Sequence, residues 1–165
     1  NQDTVTELTT AWVYKISEVL DPGITLSSVT PLSIEGKLFF CASNNLLISI
    51  DGETGKEIWT YDPETNLDHV PYKSCRGVAY HESAQAFGTC KTRLLAGTLD
   101  NRLLAIDAAS GIPCRDFGDQ GVVDLNAGLG NILPGYRYVT SPPTLIGDVV
   151  VVGGFIYDNQ YTRYR

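Results

Sequence analysis

One stretch of this 165-residue chain is written twice. Residues Leu38 to Ile58 read LFFCASNNLLISIDGETGKEI, and residues Leu94 to Cys114 read LLAGTLDNRLLAIDAASGIPC, an offset of 94 − 38 = 56. At that offset Asn45 aligns with Asn101, Leu47 with Leu103, Ile50 with Ile106, Asp51 with Asp107 and Gly55 with Gly111. A repeat of this length marks stacked copies of one supersecondary unit. The first copy opens on the apolar run Leu38-Phe39-Phe40-Cys41, and Ser43-Asn44-Asn45 then supplies turn chemistry. A second run, Leu46 to Ile50, ends at Asp51-Gly52-Glu53-Thr54-Gly55, where an Asp can bond its own backbone ahead and a Gly tolerates positive φ. Lys56 to Tyr61 then alternates polar and apolar as a third strand.

A strand, a turn, a strand, an Asp-x-x-x-Gly turn and another strand make most of one β-propeller blade. Ala11-Trp12-Val13-Tyr14 has the same form as Ile58-Trp59-Thr60-Tyr61, and both are predicted to be closing strands whose Trp fills the gap between blades. Residues 24–34 are expected to hold a short strand with Pro31 at its edge, and Gly147 to Gly154 reads as the opening of a third repeat. A blade takes about 40–50 residues. The expectation is therefore an all-β chain, a partial β-propeller of about three blades, with residues 1–165 one piece of a longer protein.

The net charge of −7 and the absence of a basic stripe argue against nucleic acid as a partner. No apolar run approaches the roughly 20 residues of a membrane span. The cysteines are Cys41, Cys75, Cys90 and Cys114, with no C-x-x-C pair, so zinc is disfavoured despite His69 and His81. Cys41 lies in an apolar strand and reads as a buried free thiol. Cys75, Cys90 and Cys114 lie in or beside connections, where a disulfide can form in an oxidising compartment, with the pairing left open. Residues 62–91 and 116–139 are long excursions from the repeat, of the kind that carries function. Gly128-Leu129-Gly130 does not complete a phosphate-binding glycine motif, and no helix is expected after it.

Five motifs now stand in order: Cys75-Arg76-Gly77 followed by Tyr80; Leu99 to Asp107; Cys114-Arg115-Asp116-Phe117-Gly118; Thr140-Ser141-Pro142-Pro143; and Gly153-Gly154 with Asp158-Asn159. In that order, from about Val5 to Arg165, the chain resembles the membrane-bound quinoprotein dehydrogenases that use pyrroloquinoline quinone (PQQ). The glucose dehydrogenase branch is the most similar, with quinate and polyol dehydrogenases as relatives. The resemblance implies an eight-bladed propeller with the quinone in a central funnel beside a calcium or magnesium ion. It also implies a periplasmic domain of an inner-membrane-anchored protein that oxidises a sugar or polyol, glucose foremost, and passes electrons to ubiquinone.

The resemblance assigns Arg76 to the PQQ carboxylates, and a guanidinium binds carboxylate through two parallel hydrogen bonds. It assigns Thr140 and Ser141 to hydroxyl positions beside the quinone. Asp158 and Asn159 match the metal-ligand pair, since hard cations take carboxylate and amide oxygens. The family histidine at the quinone plane stands four residues before the arginine; here Tyr72 occupies that place and His69 lies seven before, so either one can face the quinone. The family's catalytic-base aspartate, quinone-contacting lysine and underlying tryptophan are expected further along than Arg165, so the chain alone is expected to be inactive. The proposed parent chemistry is base-assisted proton removal from a hydroxyl with hydride transfer to the quinone. The competing reading is a non-catalytic propeller scaffold for protein–protein interaction, such as outer-membrane assembly. Such scaffolds share the Asp-x-x-x-Gly repeats but not the other motifs in this order.

Overall fold

The computed structural model describes residues 5–16, 28–84 and 86–157. Its strands are β1 (Leu32–Ile34), β2 (Lys37–Cys41), β3 (Leu47–Asp51), β4 (Glu57–Tyr61), β5 (Ala79–Glu82), β6 (Thr92–Gly97), β7 (Arg102–Asp107), β8 (Val122–Asp124), β9 (Arg137–Tyr138), β10 (Thr144–Ile146), β11 (Val149–Val151) and β12 (Phe155–Ile156). Strands β1–β4 form one four-stranded antiparallel meander and β5–β8 a second. The β10–β11 hairpin opens a third, and β9 pairs with β12. Apart from a 3-10 turn at Val5–Glu7, the regular structure among the described residues is all β: two four-stranded blades, the first hairpin of another, and the β9–β12 pair. Among the described residues no helix is long and apolar enough to cross a membrane.

Side chains alternate across a strand, and here both faces are buried, which is why the inner strands read as continuous apolar runs. Phe39, Cys41 and Leu47 of the first blade meet Leu94, Ala96, Leu104 and Ile106 of the second. The alternate residues Phe40, Ile48 and Ile50 pack instead against Trp12, Tyr14 and Ile16. On the far face of the second blade, Leu95 and Ala105 meet Leu145 and Val150 of the third hairpin. The layers therefore follow one another in chain order.

The repeat recurs atom for atom at one end of the blades. Asp51 Oδ1 accepts the Glu53 and Thr54 amides at 3.1 and 2.7 Å, and Asp107 Oδ1 accepts those of Ala109 and Ser110 at 3.0 and 2.8 Å. Trp12 Nε1 donates to the Gly52 carbonyl and Trp59 Nε1 to the Ala108 carbonyl, both at 3.2 Å. Each indole lies on the turn glycine: a Cβ on Gly55 would sit 2.5 Å from the Trp12 ring, and one on Gly111 2.7 Å from Trp59. Both glycines also have positive φ, 70° and 74°, so the turn needs glycine for shape and for space. The tryptophans thus bridge neighbouring layers as expected.

Two expectations are corrected. Cys41 is not a free thiol: it is disulfide-bonded to Cys75, and Cys90 to Cys114. Cys41 is fully buried as an apolar-strand residue should be, but the face it occupies is the seam between blades, where Cys75 arrives. Residues 11–14 are not a strand, because their backbone pairs with no other strand among the described residues. The excursion read after Cys114 shows in the ladder of the second blade. Ile50 pairs with Glu57 as Ile106 bridges Pro113, which keeps the offset of 56, but Ile48 pairs with Thr60 whereas Leu104 pairs with Val122. Six extra residues (122 − 60 − 56 = 6) have been inserted between.

The meander gives each blade two ends. One carries the Asp-x-x-x-Gly turns, residues 83–91 and the insertion. The other carries turns 42–46 and 98–101 with the long connections 62–78 and 125–143. At this connection end Asn45 Oδ1 accepts the Leu99 amide at 2.8 Å, Arg102 Nη2 donates to the Pro63 carbonyl at 2.9 Å, and the Val139 amide donates to the Thr98 carbonyl at 3.0 Å.

Candidate functional site

The first strand of each blade is reached through a short entry outside the ladders, and the three entries lie side by side. The Thr30 amide donates to the Arg76 carbonyl at 3.0 Å, and the Arg76 amide donates to the Thr140 carbonyl at 2.9 Å. Arg76 is therefore the middle rung where the three sheets converge. Its neighbours Cys75, Gly77 and Val78 are buried, yet Arg76 itself is exposed. Among the described residues its guanidinium has no hydrogen-bond or ion-pair partner. A fixed backbone carrying an uncommitted planar cation is suited to an anion, above all a carboxylate.

The turns and connections of the same end also hold buried polar side-chain atoms. Buried side-chain atoms without a partner among the described residues are Asn45 Nδ2, Thr65 Oγ1, Ser74 Oγ, Arg137 Nε and Tyr138 Oη, all in the turns and connections of that end, and Ser49 Oγ within β3. Buried polar atoms are normally paired with protein or water. A cleft of about 200 Å³ opens there between Asp68, Leu99, Asp100, Asn126, Gly135 and Arg137.

The structure separates the residues singled out from the sequence. Arg76 and Thr140 are joined through their backbones, and Ser141 follows, exposed. His69 is exposed at φ 60°, its carbonyl against Gly135 where a Cβ would collide with it. Tyr72 is 58 % exposed and meets Phe155 edge-on at 6.4 Å. Phe155 in turn stacks on Tyr138 at 4.8 Å, two residues before Thr140. Burial, then the nearby Tyr72 and Tyr157, pushes the Tyr138 hydroxyl above its ordinary pKa, so it stays protonated and able to donate. Asp158 and Asn159 lie outside the described residues; the chain leading to them is held to β9 by β12 and by the Tyr157 amide on the Tyr136 carbonyl, 2.9 Å.

Sequence reasoning missed Thr30. A signal was available, since Val29-Thr30-Pro31 and Val139-Thr140-Ser141-Pro142 share an apolar residue, Thr and a nearby Pro. It also missed Phe155, whose ring covers Tyr138 through a strand pair that no local pattern announces.

Residues 1–165 match the family described as "PQQ: Glucose/ethanol/alcohol dehydrogenase, beta-propeller domain". The chain is 39% identical over 160 residues to the glycerol dehydrogenase large subunit of Gluconobacter oxydans (strain 621H), covering 93% of this chain and 22% of that protein. It is 35% identical over 173 residues to the quinoprotein glucose dehydrogenase of Escherichia coli (strain K12), covering 99% of this chain and 22% of that one. The chain thus spans about a fifth of the relatives it matches (22%). Among solved structures, a europium-containing methanol dehydrogenase superposes with a TM-score of 0.69 at 21% identity, over 94% of this chain and 24% of that one, which shows the fold alone.

Proposed function

Because this chain belongs to the β-propeller family of PQQ-dependent glucose, ethanol and alcohol dehydrogenases, we propose that it forms part of a quinone-cofactor site in a dehydrogenase acting on a sugar or polyol. The observation that carries this reading is the exposed Arg76 guanidinium, unpartnered among the described residues, on the middle rung of the three converging entries. PQQ carries three carboxylates, and the residues at this end fit it: an uncommitted cation, the Thr140 and Ser141 hydroxyls, and buried donors lacking acceptors. Arg76 would bind and orient a carboxylate, and Thr140 and Ser141 would offer hydrogen bonds beside it. His69 remains a candidate for the same cofactor, with Tyr72 as the alternative ring. Asp158 and Asn159 are proposed to hold a divalent cation, calcium or magnesium. When bound, the quinone supplies the two-electron acceptor that no side chain offers.

In this reading the whole protein oxidises glucose, passes electrons to ubiquinone and works in the periplasm as part of an inner-membrane-anchored chain. Two disulfides support an oxidising compartment. The exposed Ile146, Val149 and Val151 of the third hairpin fit a surface that further blades cover.

The test is PQQ binding to the full-length protein with calcium present, read by fluorescence titration. Arg76→Gln is expected to cost about 1.5–3 kcal/mol, roughly ten- to a hundredfold in Kd. Equal affinity of the wild type and the variant would remove Arg76 from the site. Turnover of glucose compared with glycerol decides the substrate.

A further inference from the structure

We infer that the Cys41–Cys75 disulfide is a positioning device for Arg76, setting the affinity of the site for a carboxylate-bearing cofactor; the inference rests on the reading of Arg76 just given. Residues 71–78 belong to no strand, so no ladder holds the stretch that carries the arginine. Its backbone is fixed at Arg76 by the bonds to Thr30 and Thr140, and immediately before by the disulfide. The other half of that bridge is rigid. Cys41 is the last residue of β2, in register with Leu47 of β3, and is fully buried. Cys75 is 3 % exposed, and its Sγ lies 3.7 Å from the Gly77 carbonyl oxygen, so the sulfur packs against the backbone on the far side of Arg76. The bridge crosses the seam between the blades and ties the Arg76 entry of the second blade to the ladder of the first. A side chain with many rotamers gains affinity when its backbone is held in place before the ligand arrives.

The second disulfide is a built-in control. Cys90–Cys114 joins the β5–β6 connection to the residue just before the insertion, at the opposite end of the blade from Arg76. The two bridges span similar separations, 34 and 24 residues, so chain entropy gives them similar weight in stability. They differ in what they hold.

The experiment titrates PQQ, with calcium, into full-length protein and records the thermal midpoint of each variant. Cys41→Ala/Cys75→Ala is expected to weaken PQQ binding about tenfold, the size of effect seen when a group that orients a ligating residue is lost. Cys90→Ala/Cys114→Ala is expected to lower the midpoint comparably yet change affinity by less than about twofold, as independent sites do. In an Arg76→Gln background the loss of Cys41–Cys75 should cost no further affinity, because its effect runs through the arginine. Equal weakening by both disulfide pairs, or an undiminished effect in the Arg76→Gln background, would overturn the inference. If Arg76→Gln alone leaves binding unchanged, the reading of the arginine falls and the tether with it. If Arg76→Gln weakens binding and Cys41→Ala/Cys75→Ala does not, the tether alone falls. Should the double alanine variant fail to fold, Cys41→Val/Cys75→Ala, which refills the seam, carries the same comparison.

Discussion

The first blade ends on an outer strand that carries Trp59 opposite Ser49, whereas the second has Gly121 opposite Ala105, the residue 56 positions on from Ser49. Trp59 closes the seam to the next blade with one buried ring and one N–H bond. The second blade closes its seam by other means. The Cys90–Cys114 bridge and Phe117, which comes with the insertion, pack beside Leu95 and Ala105 against Leu145 and Val150. Arg93, largely buried, is neutralised there by Asp116 at 2.9 Å and donates to the Cys90 carbonyl at 3.0 Å. The comparison teaches that β2–β3 and β6–β7 are the invariant part of the unit, fixed by the Asp turn and the indole dock. The outer strand is free to vary so long as something fills the seam.

That view ranks the two seams. Trp59→Ala removes the ring, strands the Ala108 carbonyl and opens a cavity, and is expected to cost about 3–5 kcal/mol. Trp12→Ala removes the equivalent contact from a half-buried ring and should cost clearly less. Denaturant midpoints of the two variants measure this; equal losses would break the claim that burial at the seam sets the cost. Cys90→Ala/Cys114→Ala should follow at about 3 kcal/mol for its 24-residue separation. A negligible loss would mean that Phe117 and the Arg93–Asp116 pair already close the second seam without the cross-link.

The same contrast explains what could be read from the chain before its structure. The repeat from Leu38 to Ile58 and from Leu94 to Cys114 encodes itself locally, through turn residues and alternating runs, and the indole docks follow from Trp12 and Trp59 standing in like motifs. Pairings that join distant segments leave no such trace. Cys41 sits in an apolar run and reads like any core residue, because its partner lies 34 residues on in a stretch without periodicity. The insertion after Cys114 erased the offset just where a third Trp would have stood. At the candidate site Arg76 and Thr140 were singled out through the resemblance of their motifs alone. Their meeting, with Thr30 as the third rung, left no trace in the sequence, because it is a backbone contact between the entries of three sheets. Phe155 on Tyr138 was hidden because the ring contact depends on the pairing of β9 with β12, which no local pattern announces.

The two turn aspartates offer the finest test, because they differ by one hydrogen bond. Asp51 uses Oδ1 alone, for the Glu53 and Thr54 amides and the Thr54 hydroxyl at 2.7 Å. Asp107 repeats that set through Oδ1 and adds the Cys90 amide on Oδ2 at 2.5 Å, which ties the turn to the disulfide. An asparagine side chain keeps Oδ1 and with it every acceptor role in the first turn, so Asp51→Asn should be close to neutral at pH 7. Asp107→Asn places an NH2 against the Cys90 amide, donor against donor, in a buried site, and should cost about 1–3 kcal/mol. Acid sharpens the contrast. Burial pushes the Asp107 carboxyl up, but the Cys90, Ser110 and Ala109 amides and the Ser110 hydroxyl outweigh it, leaving the pKa below the ordinary 3.8. A depressed folded-state value means stability that is fully present above 3.8 and is lost as the pH falls through that lower value. The Thr54 hydroxyl, and then its amide, depress Asp51 in the same direction, but on an open surface where solvent screens the effect. Thermal midpoints followed from about pH 6 down to about pH 3 should therefore show a shallower acid limb in Asp107→Asn than in the wild type. Asp51→Asn should track the wild type closely. Parallel curves for all three proteins would show that the added Cys90 bond contributes nothing, and that the two turns are equivalent after all.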